Sequence, residues 1–218
     1  MIEEHHLSVQ RTARYFTFGQ CTEQTNCLVI ACHGYGQLAK HFIKKFDVIA
    51  RPDTLIVAPE GLSRFYWGGL SGNVVSSWMT KEDRLVEIAD FSAYLTKLYI
   101  HFTADLPDGA QIILLGFSQG CATQLRWIAR ENPTFSHLIL WAGSIPEDID
   151  YGPVRHHFQD KPLHFVYGTE DPFITPERVA AQEALAAQLP MNYRVHTFEG
   201  KHTVEREALR GLFEQIRP

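Results

Sequence analysis

Beyond residue 26 the chain alternates between two kinds of hydrophobic pattern. Short unbroken apolar runs, Cys27–Cys32, Thr54–Ala58, Ile112–Leu115, Leu138–Trp141 and Leu163–Tyr167, read as strands buried on both faces. Tyr193–Phe198 reads as the last strand. Between the runs, apolar residues recur at helical spacing. Over residues 81–102, Leu85, Ile88, Ala89, Leu95 and Leu98 share one side, and Thr80 with Asp83 offers a capping box. Cys121, Ala122, Leu125, Ile128 and Ala129 form the stripe of a second helix. Another helix begins at Thr175-Pro176, where Thr caps and Pro suits the first turn. Val204, Ala208, Leu212 and Ile216 mark a C-terminal helix. This alternation predicts an α/β fold with a mostly parallel central sheet and helices on both faces. The first twenty residues differ, since Leu7–Thr12 and Arg14–Phe18 are short β-prone stretches placed to pair as a hairpin at an antiparallel edge.

Composition narrows the picture. The 218 residues are 45% hydrophobic and 21% charged, with no repeat or linker, which predicts a single domain over residues 1–218. The segment Ile145–Lys161 is too short for a helical cap domain and lacks an amphipathic period, so no large cap is expected. A formal net charge of −5 argues against a nucleic-acid partner. The N-terminus carries Glu3 and Glu4 and no apolar run of signal type, and no run reaches bilayer length, so a cytoplasmic location without integral membrane association is expected. Cys21, Cys27, Cys32 and Cys121 form no CxxC pair and read as reduced core residues.

Chemistry enters at the strand ends. Gly116-Phe117-Ser118-Gln119-Gly120 matches G-x-S-x-G directly after a predicted buried strand and at the start of a helix, the setting that this nucleophile turn requires. The glycines are needed because a Cβ at 116 or 120 would strike its neighbours in so tight a turn. A serine hydroxyl needs a base, and the base needs an orienting carboxylate. Of eleven histidines, His202 is best placed, in a short loop between the last strand and the C-terminal helix. His164 and His196 fall inside strands and read as packed or paired side chains, while His5-His6 and His156-His157 read as solvated. Asp171 is preferred to Glu170 as the acid, in the loop after the Leu163–Tyr167 strand, and Asp148, Asp150 and Asp160 read as solvated charges. The Gln119 amide supplies one oxyanion donor, and the glycine turn His33-Gly34-Tyr35-Gly36 can aim the Tyr35 amide at the same point. Phe65, Trp67, Trp78 and Met79 are the candidates for an apolar pocket wall.

Taken together, His33-Gly-Tyr-Gly36, Gly116-Phe-Ser-Gln-Gly120, Gly168-x-x-Asp171 and Gly200-x-His202 resemble the phospholipase/carboxylesterase family of α/β hydrolases, which includes acyl-protein thioesterases. The resemblance implies an α/β-hydrolase fold with Ser118, Asp171 and His202 as triad and the Tyr35 and Gln119 amides as oxyanion hole. Two positions depart from the family pattern. Gln37 replaces an acidic residue after the first glycine loop, and Cys121 replaces a second glycine after the nucleophile turn. The expected activity is hydrolysis of small-molecule carboxylic esters or thioesters through an acyl-enzyme, with no metal or organic cofactor. A peptidase or amidase could use the same triad, and a catalytically silent binding protein could share the fold.

Overall fold

The computed structural model describes residues 1–217. Its centre is a seven-stranded sheet built from β1 (Tyr15–Phe18), β2 (Cys27–Cys32), β3 (Thr54–Pro59), β6 (Gln111–Phe117), β7 (His137–Trp141), β8 (Pro162–Gly168) and β9 (Asn192–Phe198). The spatial order is β1-β3-β2-β6-β7-β8-β9, and every neighbouring pair is parallel except β1 with β3. A separate antiparallel hairpin, β4 (Ser63–Trp67) with β5 (Asn73–Ser77), follows β3.

The unbroken apolar runs have the predicted cause. Alternate residues of β2 enter two different cores: Leu28, Ile30 and Cys32 join one, and Cys27, Val29 and Ala31 join the other. Helices α2 (Arg84–Thr103), α3 (Gln119–Glu131) and α4 (Pro176–Ala186) cover the first face. The other face is covered by α1 (Ala39–Phe42), the 3-10 turn Ile43–Ile49 that continues it, and α5 (Arg206–Ile216). Between β7 and β8 the only regular element is a 3-10 turn, Arg155–Phe158, so no cap domain is present among the described residues. No described helix is long and apolar enough to cross a membrane.

Four local expectations are corrected. Residues 7–12 form no strand, and Leu7 and Val9 are exposed. β1 pairs instead with β3, whose free edge offers a full ladder of backbone partners, whereas a lone two-stranded hairpin would be marginal. The α2 cap is not the Thr80–Asp83 box. Asp83 is the N-cap in a left-handed conformation (φ 47°) without a side-chain capping bond, and its carboxylate meets His6 at 2.9 Å. Leu85 lies in phase with the α2 stripe yet is 73% exposed, because the buried face begins only one turn later, at Ile88. Asp148 is not a free solvated charge either, since it pairs with Arg126 at 2.7 Å and Arg84 at 3.0 Å. Cys27, Cys32 and Cys121 are buried free thiols, while Cys21 is exposed.

The strand histidines are paired, as expected, and they form a chain across three neighbouring strands. His137 Nδ1 lies 3.1 Å from His164 Nε2, and His164 Nδ1 lies 3.1 Å from His196 Nε2. Burial, helped by the two neighbouring imidazoles and Arg194, pushes the His164 pKa down from 6.5 to about 3. Below pH 6.5 the unfolded chain therefore takes up a proton that the folded chain refuses, so stability is full above that pH and declines as pH falls toward 3. Each such proton contributes a slope of at most about 1.4 kcal/mol per pH unit. Urea midpoints measured at pH 7.5, 6 and 5 should fall progressively, and His164→Gln should flatten that decline. Equal pH dependence in both proteins would show that His164 is not the group responsible.

Candidate active site

The turn from β6 into α3 holds Ser118 at φ 54° and ψ −116°, a conformation that costs a non-glycine residue about 1–3 kcal/mol. Steric crowding explains its neighbours. A Cβ on Gly116 would lie 2.4 Å from the Gly120 carbonyl, and one on Gly120 would lie 2.1 Å from the Cys32 carbonyl oxygen. The two motif glycines thus let α3 press against the ends of β6 and β2. Cys121 fits where the family pattern has glycine because Gly143 faces it, where a Cβ would stand 2.3 Å from the Cys121 sulfur. Burial raises the thiol pKa strongly, so Cys121 is a packing residue and no second nucleophile.

Asp171 and His202 are brought together by the ends of β8 and β9. A Cβ on Gly168 would meet the Gly200 carbonyl oxygen at 2.2 Å, and the amides of Thr169 and Glu170 donate to Phe198 and Gly200 carbonyls at 2.9 Å each. Across this seam His202 Nδ1–H donates to Asp171 Oδ2 at 2.7 Å, while Asp171 Oδ1 accepts from the Phe173 amide at 2.9 Å. The Asp171 carboxylate is fully buried, whereas Glu170 is exposed. An acceptor at Nδ1 leaves the Nε2 lone pair free to take a proton. The imidazole sits between Phe117, at 4.9 Å between ring centroids, and Phe173, at 4.8 Å. The Ser118 hydroxyl makes no hydrogen bond among the described residues, and serine–base contacts are often long before substrate binds.

The glycine turn after β2 lies directly against the nucleophile, since a Cβ on Gly34 would stand 3.1 Å from the Ser118 Cβ. Its shape is held from beneath by His33, a residue whose role depends on partners distant in sequence. His33 is wholly buried; its Nδ1–H donates to the Gly34 carbonyl at 2.8 Å, its Nε2 accepts from the Gly61 amide at 3.0 Å, and Ser76 Oγ, which donates to the Gln37 carbonyl at 2.8 Å, lies 3.1 Å from the same Nε2. Burial lowers its pKa to about 4, so the ring is neutral at physiological pH, as these partners require. Gln37 Oε1 accepts from the Gly34 amide at 2.9 Å, and a bridge of backbone bonds joins Gly36 and Gln37 to Ser76 on β5. The Tyr35 amide donates to no protein group among the described residues. Gln119 is the first residue of α3, where an amide has no intrahelical acceptor. A polar residue closing an otherwise apolar strand run was the one sequence signal that could have marked His33.

The four pocket candidates divide. Phe65 and Trp67, on β4, pack with Tyr35 at centroid separations of 5.4 and 5.6 Å, and Trp67 stays 54% exposed. Trp78 is only 1% exposed and is no open wall: its indole N–H donates to the His33 carbonyl at 2.9 Å, bracing the glycine turn. Met79 is half-buried, and the Gln119 side chain ties down its segment by donating to the Met79 carbonyl at 2.9 Å and accepting from the Trp78 amide at 3.1 Å. The described residues group metal-ligating atoms only at exposed Glu4, His6 and Asp83, none of them a candidate catalytic residue.

Comparison with solved structures defines the class. Esterase PE8 superposes with a TM-score of 0.71 at 21% identity, covering 95% of this chain and 99% of its own. Acyl-protein thioesterase 2 of Zea mays gives 0.71 at 16% identity over 94% and 98% of the two chains, and the Bacillus cereus carboxylesterase gives 0.66 at 12% over 93% and 92%. These likenesses establish a single-domain α/β-hydrolase fold. Among curated proteins, none matches the chain by sequence. The family model described as phospholipase/carboxylesterase matches residues 19–217, and the chain belongs to that family.

Gly34 tests how closely the glycine turn is fitted to Ser118. An alanine there needs no unusual backbone angle, but its methyl would stand 3.0 Å from the Phe117 ring as well as 3.1 Å from the Ser118 Cβ. Gly34→Ala should therefore move the nucleophile by a few tenths of an ångström and lower kcat on a chromogenic ester about tenfold, with the melting temperature nearly unchanged. Unaltered kcat would show that the turn can retreat without moving Ser118.

Proposed function

We propose that the chain is a serine esterase that hydrolyses small carboxylic esters or thioesters through an acyl-enzyme. The observation that carries this reading is the 2.7 Å contact between His202 Nδ1 and the buried Asp171 carboxylate, beside a strained strand-to-helix turn that presents Ser118. Ser118 Oγ attacks the acyl carbon while His202 Nε2 takes its proton. Asp171 fixes the tautomer and stabilises the imidazolium. The Tyr35 and Gln119 amides receive the negative charge that develops on the carbonyl oxygen, and each such donor contributes about 3–4 kcal/mol to the transition state. Collapse of the tetrahedral intermediate expels the alcohol or thiol, which takes the proton from His202. Water, deprotonated by the same Nε2, then attacks the acyl-Ser118 ester, and the carboxylic acid leaves.

A fluorophosphonate probe should label folded protein once, on Ser118, and Ser118→Ala should abolish both labelling and turnover of a chromogenic ester. An adduct mapped to another residue would refute the assignment.

The acid is tested separately. Asp171→Asn should leave the fold intact and lower kcat by about three to four orders of magnitude, because the amide holds the wrong imidazole tautomer. Glu170→Gln should change kcat by less than about threefold, since surface charges seldom couple strongly. Kinetics of the two variants side by side decide between the carboxylates, and a larger loss at Glu170 would reverse the roles.

A further inference from the structure

Beside the candidate active site, a cavity of about 530 Å³ opens between α1 and β5. Gly36 and Gln37 of the glycine turn form one side, Lys40, His41 and Lys45 another, and Val74 of the hairpin closes it. No aspartate or glutamate lines it, although the chain as a whole carries 25 acidic against 20 basic residues. Lys40 is exposed and has no ion-pair partner among the described residues. Lys45 is half-buried and donates to two neutral oxygens, Thr203 Oγ1 at 2.9 Å and the Val204 carbonyl at 3.2 Å, which leaves its third proton free. The acid that feels the Lys45 charge is Glu205, whose carboxylate is chiefly engaged in capping α5 at the Ala208 amide, 2.7 Å away.

None of Ser118, Asp171, His202, Tyr35 or Gln119 lines the cavity, but its walls adjoin the loops that carry them. Gly36 is two residues from Gly34, which abuts Ser118, and Thr203, held by Lys45, follows His202 directly. Phe42 in its wall lies 6.2 Å from the Phe117 ring, which in turn packs 4.9 Å from His202. In acyl transfer the imidazole hands its proton to the departing group, so that group lies on the histidine side of the serine. The Lys45–Thr203 contact ties one wall of the cavity to the loop that carries His202.

We propose that this cavity is an anion subsite for the leaving group: the preferred substrates are esters whose alcohol or thiol part carries a carboxylate or phosphate, bound by Lys40 and Lys45 with His41 as a further donor. The inference rests on the esterase reading above and adds the charge class of the substrate to it. Lysine suits the task because an ammonium on a flexible stem can meet anions of different shape.

The test uses 4-acetoxybenzoate and its uncharged methyl ester, which share the acetyl group and differ in the charge on the leaving phenol, with 4-acetoxyphenyl phosphate as the phosphate arm. The quantity read is the anionic-to-neutral ratio of kcat/KM, which cancels losses common to both esters. Lys40→Gln should lower that ratio about threefold and Lys40→Glu about tenfold, the range expected when a partly exposed charge is removed or reversed. Added salt should erode the wild-type ratio. A ratio indifferent to both substitutions, in an enzyme that turns over the methyl ester, would overturn the subsite and leave the esterase reading standing. A matched pair charged on the acyl side, mono-4-nitrophenyl succinate against 4-nitrophenyl butyrate, fixes the orientation: a response to Lys40→Glu confined to that pair would overturn the leaving-group assignment. Absence of both ester turnover and fluorophosphonate labelling would overturn the esterase reading and this inference with it.

Discussion

Close approach of α3 to the ends of β2 and β6 is the constraint on which the site depends. The Gly120 Cα stands so near the Cys32 and His33 carbonyls that no side chain fits, and Gly116 is equally crowded by Gly120. Ser118 is driven into a left-handed backbone angle by that closeness, and the surrounding core over-determines the angle: β6 and β7 are buried, and the Ser118 amide is tied to the Trp141 carbonyl at 2.9 Å. The strain is sustained because so much apolar surface on both faces of the sheet would have to open to release it.

From that point the machinery is assembled by layers that brace one another. Gln119 opens α3 directly after Ser118, while its side chain secures Trp78 and Met79. Trp78 in turn bonds to the His33 carbonyl, and His33 links the glycine turn to Gly61 and Ser76. Trp78, His33 and Ser76 are buried with their polar side-chain atoms partnered, so loss of one would leave others unpaired in a low-dielectric setting. Gln37 belongs to the same lattice. Its neutral amide oxygen accepts from the Gly34 amide without placing a negative charge beside the glycine turn.

The same economy of position appears at the rim of the site. Lys45 both fastens the loop that follows His202 and presents charge to the neighbouring cavity, so that loop and the cavity wall are linked through one side chain. The β4–β5 hairpin plays a comparable double part: β5 holds the glycine turn through Ser76, while Phe65 and Trp67 on β4 stack against Tyr35.

The sequence by itself determined the sheet, because strands buried on both faces must be continuously apolar, and Cys27–Cys32 or Ile112–Leu115 can be little else. It also singled out Ser118, Asp171 and His202 as candidates, since strand-end loops carrying glycine followed by a polar residue are few in this chain. Tertiary structure alone decided whatever depends on residues distant in sequence. The β1 strand abandons residues 7–12 for the free edge of β3, and Leu85 keeps the helical phase yet misses the core. Trp78, adjacent to the aromatic hairpin in sequence, turns inward because the His33 carbonyl needs a donor. His33 acquires its bracing role only from Gly61 and Ser76, 28 and 43 residues further along. Periodicity reports which face of an element is apolar, but it does not report which neighbour arrives to cover that face or to satisfy a buried polar atom. That depends on the packing of the whole chain.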